Sequence, residues 1–532
     1  MSSAGITTGG ATTGSFAPSD VKVVNKWAVA VAVAIGALLE VIDVSIVNVA
    51  LTEIQSSLGA TLSQVSWVVS SYAVANVIIL PLSAWLGRRF GKKNYFLFSL
   101  VGFTVASVLC GLATNLPMLI IARVLQGLAG GGLLAKAQAI LFETFPKEEQ
   151  AMAQGFFGII VIAGPAIGPT LGGYLVTNVD WRWIFFINGP VGIAAVLLCV
   201  AALPKDEATP ARTPVDWTSL GLLAVGLGAL QTVLEEGNAD DWFDSRFIVT
   251  LSIAAVVGLV SFVVRQLRTQ APIVDLRVLR HRSLWAGSIL SVVVGISLYG
   301  ALFAIPIFAS TIMHQNAQQI GMMLLPGAFA SAFAMPMVAR LLGKFDARFL
   351  LVCGALLLVL AIHQLAGLNP QTGDADLFWP LILRSFGTVF MFLPLNMATL
   401  GPIPKRDIAA ATGFFSLTRQ LGGSVGVALL TMLLTQRQVF HRTVLGEHVG
   451  ATDPTTLERV ASLTQSFVAK GFGLDDAHSK ALTMLDGALN QQAAVLSFGD
   501  TFWATAALVL ISLPLVLLLG KPSRGAKVEA AH

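Results

Sequence analysis

The chain has 532 residues, of which 55% are hydrophobic and only 12% charged, about half the charged share of an ordinary soluble domain. Together with a mean hydropathy of +0.77, this composition excludes a soluble enzyme, a disordered chain and a secreted disulfide scaffold. The net charge of +4 does not mark a nucleic-acid binder, because the basic residues are scattered between long apolar blocks instead of clustering on one face.

In chain order, residues 1–26 open as a Gly-, Ser-, Thr- and Ala-rich stretch that reads as a disordered cytoplasmic tail. A helix crosses the hydrocarbon layer in about 20 apolar residues, and approximately fourteen such windows follow. Six of them, near 27–50, 63–87, 94–112, 117–141, 154–176 and 183–203, make an N-terminal bundle over 27–203. The first is not a cleavable signal, since it contains Glu40 and Asp43 and has no small-residue cleavage site. Two windows near 216–234 and 247–265 lie within 204–283, flanked by polar connectors. Six more, near 284–311, 318–340, 349–367, 377–400, 409–436 and 500–519, make a C-terminal bundle over 284–519, and 520–532 is a second tail. The expected fold is therefore an all-α membrane protein of about 14 transmembrane helices: two six-helix bundles with two extra helices between them.

A long loop near 437–499 separates the last two windows. Asp453-Pro454 is a good helix start, and Leu457, Val460, Leu463, Phe467 and Val468 then recur at helical spacing. A second short amphipathic helix is expected after Asp475-Asp476. Such a pair serves equally well as a docking surface or as a cap on its own core. An internal repeat links the two bundles: Pro81, Ala84, Leu86, Arg89, Phe90 and Lys93 match Pro336, Ala339, Leu341, Lys344, Phe345 and Arg348 at a constant offset of 255. Repeated halves are how many transporters build a site at the bilayer midplane.

Lys and Arg accumulate in cytoplasmic loops. With the N-terminus inside, about 22 of the 33 basic residues fall on the cytoplasmic side, seven outside and four within the membrane. The acidic segment Glu235-Glu236 to Asp244 falls outside. Both termini are then cytoplasmic.

Charges inside the bilayer are expensive, at about 2.5–3.5 kcal/mol each on insertion scales, and usually face a cavity or a partner. They are Glu40, Asp43, Arg123, Lys136, Arg384 and Arg419. Glu40 and Asp43 share one helix face, and Asp43 and Arg123 lie at matching depth in antiparallel spans. The functional reading is a carboxylate that exchanges protons beside an arginine; the alternative is a static ion pair or capping contact. Lys136 lies close enough to the cytoplasmic end to snorkel. In span 5, Gly164-Pro165, Gly168-Pro169 and Gly172 combine close-approach glycines with prolines that would bend the helix, as packing or as a gate. Gly-Lys pairs lack the following hydroxyl of a phosphate-binding loop, so no cofactor is expected and an ion gradient is the energy source.

Several segments stand in order along the chain: Leu39-Glu40-Val-Ile-Asp43-Val-Ser-Ile-Val-Asn48, the basic loop through Gly91-Lys92-Lys93, and Arg123 to Gly127. The Gly-Pro run of span 5, Trp181-Arg182-Trp183 through Asn188-Gly-Pro190, and Arg419-Gln420 to Gly426 follow. In this order they resemble the major facilitator superfamily, specifically the fourteen-span drug:proton antiporters of the EmrB/QacA type, and most of all the EmrB branch. The resemblance implies that Asp43 and Arg123 act in proton transfer and that Gly164, Pro165, Gly168 and Pro169 control alternating access. It also implies a multi-pass protein of the bacterial inner membrane that exports hydrophobic or amphipathic compounds with a periplasmic adaptor and an outer-membrane channel. One departure stands out: Arg88 occupies a loop position where the family often has an acidic residue, which weakens a latch based on that carboxylate. A dedicated exporter of one metabolite, such as a fatty acid or siderophore, and a non-transporting membrane sensor or scaffold are the competing readings, since fold alone does not separate them.

Overall fold

In a computed structural model, residues 25–204, 206, 215–270, 272–450 and 453–519 are described. Residues 1–24 of the first expected tail, the whole of the second and most of the 204–215 connector lie outside the described residues, while Asn25 and Lys26, expected in the tail, cap and begin the first helix because the Asn25 side chain accepts from Trp27 N. Helices α1 (Lys26–Leu58), α2 (Leu62–Ile79), α3 (Ser83–Phe90), α4 (Lys92–Gly111), α5 (Leu116–Gly130), α6 (Leu133–Thr144), α7 (Gln150–Asn178), α8 (Trp183–Phe186) and α9 (Asn188–Ala202) form the N-terminal group. The hairpin α10 (Trp217–Glu236) and α11 (Arg246–Arg268) follows. The C-terminal group comprises α12 (Arg282–Thr311), α13 (Ala317–Leu342), α14 (Ala347–Ala366), α15 (Asp374–Leu400), α16 (Ile408–Glu447), α17 (Pro454–Ala469) and α18 (Leu474–Ser512).

Each of the fourteen apolar windows coincides with helix, but length and apolar character together single out eleven spans among the described residues, or twelve with the bent pair α2–α3 counted as one. Three expected single helices are interrupted, the sixth only at Ile187 between α8 and α9. The second bends by 62° between α2 and α3, at Pro81, where the ring removes a backbone donor. The repeat partner Pro336 lies inside α13, which continues through it. The fourth breaks between Gly130 and Leu133, where Gly132 takes φ +75°, a left-handed conformation that costs an L-residue about 1–2 kcal/mol.

Close helix approach follows the small residues. A methyl at Gly127 would lie 2.7 Å from the Tyr72 carbonyl, so α5 rests directly on the α2 backbone. In α7, Gly164, Gly168 and Gly172 face Val41, Ser45 and Ile46 of α1. Pro165 and Pro169 are both inside α7, which stays one 29-residue helix through them; the doubled Gly-Pro run builds a contact face without interrupting the helix.

The basic connectors gather at one end of the molecule, called here the basic end. There the groups touch across their boundary: Gln138 Nε2 donates to Asn396 Oδ1 at 2.9 Å, and Lys405 Nζ to the Glu143 carbonyl at 2.9 Å. At the opposite, far end, the expected long loop is mostly helix. The 40-residue α16 runs on to Glu447, and the second amphipathic helix is the beginning of the 39-residue α18 that also carries the last span. Asp453 caps α17, accepting from Thr456 N at 2.9 Å, with Pro454 in the first turn. Arg437 and His441 of α16 both bond Asp500 of α18, and Arg442 pairs with Asp486 at 2.9 Å. These pairs make a braced arm.

Candidate functional site: a buried ion pair beside a broken helix

The carboxylate of Asp43 and the guanidinium of Arg123 meet at 2.6 Å, with the side chains 0% and 1% exposed. Burial of both charges demands that their remaining hydrogen-bonding atoms find partners, and both Asp43 oxygens and the Arg123 Nε and Nη1 do. Arg123 Nε donates to the Val68 carbonyl at 2.9 Å, and Nη1 also to Gln126 Oε1 at 2.8 Å. The other Asp43 oxygen accepts from Gln126 Nε2 at 2.8 Å and Asn188 Nδ2 at 3.2 Å. Asn188 is in turn fixed by Ser107 Oγ at 3.0 Å. The guanidinium lies 4.3 Å from the Tyr72 ring centroid, a cation–π contact. The depth match expected from the sequence is thus a direct contact between α1 and α5, completed by α2, α4 and α9.

Glu40 lies one turn away and does something different. Its Oε1 accepts from Asn76 Nδ2 and its Oε2 from the backbone N–H of Leu134, both at 2.7 Å. Leu134 is in the first turn of α6, so the carboxylate sits where unsatisfied N–H groups and the helix dipole favour an anion. Glu40 therefore holds the break in the fourth span, which is the capping contact left open by the sequence.

Lys136 does not reach for the basic end. It is 8% exposed, its Nζ bonds Ser99 Oγ at 2.6 Å and lies 4.2 Å from the Tyr95 ring centroid. Arg419 is buried over the rings of Phe392 and Phe415, and Arg384 keeps an Nε with no hydrogen-bond partner; neither joins the Asp43 cluster. No group of three or more His, Cys, Asp or Glu suited to a metal occurs among the described residues.

Sequence reasoning missed Gln126 and Asn188, although both lay inside quoted motifs; neutral amides in a span give no cost signal of their own. It also missed Asp206, whose carboxylate accepts from Lys93 N at 3.2 Å and Asn94 N at 3.4 Å. Asp206 follows α9 and packs against Gly91, which has φ +87°. Asp206 thus brings a carboxylate from a distant part of the chain to the start of α4. Glu235 and Glu236, expected in an exposed acidic loop, instead end α10, with Glu236 4% exposed.

Residues 33–427 match the Major Facilitator Superfamily. The chain is 32% identical over 495 residues to the multidrug export protein EmrB of Haemophilus influenzae, covering 93% of this chain and 95% of the relative. It is likewise 32% identical to the fatty acid resistance protein FarB of Neisseria gonorrhoeae, with 93% and 96% covered. The xylose transporter XylE from E. coli superimposes with a TM-score of 0.56 at 12% identity, over 94% of this chain and 99% of that one, a likeness of fold. A helical bundle with a buried acid–arginine pair, matched along most of its length, thus belongs to the Major Facilitator Superfamily.

Proposed function

We propose that this chain is a proton-coupled multidrug efflux antiporter that exports hydrophobic or amphipathic compounds by alternating access. The observation that carries this reading is the Asp43–Arg123 pair, sealed from solvent yet surrounded by substitute partners. When a proton neutralises Asp43, Arg123 keeps the Val68 carbonyl, Gln126 and the Tyr72 ring. The pair can therefore open without stranding a bare charge, which would cost about 3–5 kcal/mol. Each proton entering through 100 mV releases about 2.3 kcal/mol before any pH term, enough to drive cargo uphill.

In this reading the basic end faces the cytoplasm, the membrane is the bacterial inner membrane, and the α16–α18 arm projects into the periplasm to meet an adaptor and an outer-membrane channel. A dedicated exporter of a single anionic amphiphile is the second reading, favoured by the equal similarity to FarB. Transport by purified protein in liposomes, with an imposed pH gradient and a panel of cationic, neutral and fatty-acid cargoes, tests both. Movement of several cargo classes that stops in Asp43→Asn supports the first; movement of fatty acids alone supports the second; no ΔpH-driven movement overturns both.

A further inference from the structure

The α10–α11 hairpin has no role in the pair described above, yet α10 lies on the boundary between the two groups. On the N-terminal side, Glu236 accepts from Ser70 Oγ at 2.5 Å and from Ser66 Oγ at 3.2 Å, both on α2. On the C-terminal side, Gln231 Nε2 donates to Glu235 Oε1 and to Ser424 Oγ of α16, each at 2.7 Å, and Ser424 Oγ lies 3.4 Å from Glu235 Oε1. Two adjacent carboxylates are thus held entirely by neutral donors, in a setting where carboxylates normally find a cation. A second observation concerns Gln231: it is 0% exposed, and its amide oxygen has no partner. A carboxylate has no proton to offer that oxygen. A neutral carboxylic acid does, since it donates through O–H while still accepting from the amide N–H.

We propose that Glu235 is a second proton-binding site of this transporter, and that its ionisation controls a latch between α10 and α16 at the far end. With Glu235 ionised, its carboxylate and Gln231 together hold the Ser424 hydroxyl. When it is protonated, the acid turns to the vacant Gln231 oxygen and its grip on Ser424 weakens. The neighbouring Glu236 charge favours the proton, because two adjacent carboxylates repel. Glu236 keeps α10 with α2, so the α16 side is the one that parts. Other charged or titratable groups on the packed elements are Tyr72 of α2, Arg419, Arg437, His441, Arg442 and Glu447 of α16, and Arg246, Arg265 and Arg268 of α11; Asp240, Asp241 and Asp244 follow α10. The inference rests on the alternating-access reading, in which the two groups must separate at one end.

The test measures this separation without transport. Spin labels are placed at exposed Ala239→Cys and Gln436→Cys in the full-length chain in nanodiscs. Cys353 is replaced by Ser, while Cys110 and Cys199 are fully buried and stay. Between about pH 8.5 and about 5.5, a range wide enough to titrate a perturbed carboxyl, the ratio of long to short distances should rise by at least about threefold. Glu235→Gln should hold the long distance at both pH values, Ser424→Ala should favour it at the higher pH, and Glu236→Gln should still titrate, but at lower pH than the native chain because the repelling charge is gone. A native-like titration in Glu235→Gln, loss of the titration in Glu236→Gln or in Asp43→Asn, or a distance that ignores pH in the native chain would each overturn the proposal. A chain that shows the titration but moves no cargo under a pH gradient supports the latch and overturns the antiporter reading alone.

Discussion

Asp43 and Gln126 are bonded at 2.8 Å while Gln126 also accepts from Arg123 at 2.8 Å, so one amide bridges both members of the buried ion pair. Removing one charge leaves the other buried. Arg123→Ala should therefore lose about 3–5 kcal/mol of stability, seen as a lower melting temperature in detergent. The double change Asp43→Asn with Arg123→Gln should recover most of that stability, because the replacements are neutral and can hydrogen-bond to each other. Proton-driven efflux should stay lost. Recovery of transport in the double variant would remove the pair from the coupling mechanism.

Glu40→Gln keeps an acceptor for Leu134 N but removes the charge at the start of α6. The expected cost is about 0.3–1 kcal/mol, the worth of an anion near a helix N-terminus. Glu40→Ala should cost more, by the orphaned amide, about 1–3 kcal/mol. Thermal melts of the two variants side by side check the order, and the reverse order would show that Glu40 does not hold the break.

In Gly132→Ala the new methyl makes an ordinary van der Waals contact, its nearest neighbour Leu80 Cδ2 being 3.4 Å away, so only the backbone conformation opposes it. Destabilisation of about 1–2 kcal/mol is expected. Pro169→Ala, inside a continuous helix, should be tolerated or stabilising, whereas Gly168→Val drives a branched side chain into Ser45 and Ile46 and should prevent accumulation of folded protein. Yield and size-exclusion profiles of the three variants separate these cases.

At the arm, the Thr455 and Thr456 hydroxyls bond the Asp453 carboxylate and hold its pKa down at about 2. A lowered folded-state pKa means the cap contributes fully above the ordinary carboxylate range and is lost as pH falls through about 2. Pepsin at about pH 4, just above the point where the unfolded carboxyl would titrate, should leave α17 intact in the native chain and cut it in Asp453→Ala. Equal cleavage in both would show that the cap does not secure the helix.

The positions of the spans were legible because twenty apolar residues in a row have few alternatives, and Asp43 and Arg123 were legible because a membrane charges heavily for each ion. The break at Gly132 was not. A glycine-rich stretch signals close packing and left-handed turns alike, and only contact with α2 and Glu40 decides between them. The half-buried Glu235 and the buried Glu236 were read as loop because they end an apolar run, where a charge ordinarily marks water. Their burial depends on serines of α2 and α16 that are distant in sequence. The continuous α16 and α18 were hidden for the same reason: a polar stretch reads as loop until its cross-braces, Asp500 and Asp486, are seen in place.

Those braces give the arm a mechanical property. At 1.5 Å per residue, the part of α16 beyond its apolar window, Arg437 to Glu447, extends about 16 Å past the lipid as a pointer fixed to the C-terminal group. A tilt of that group by about 10° sweeps the tip sideways by about 3 Å, the rise of two helical residues. In the alternating-access reading proposed above, such a tilt displaces whatever rests against the tip, by leverage alone.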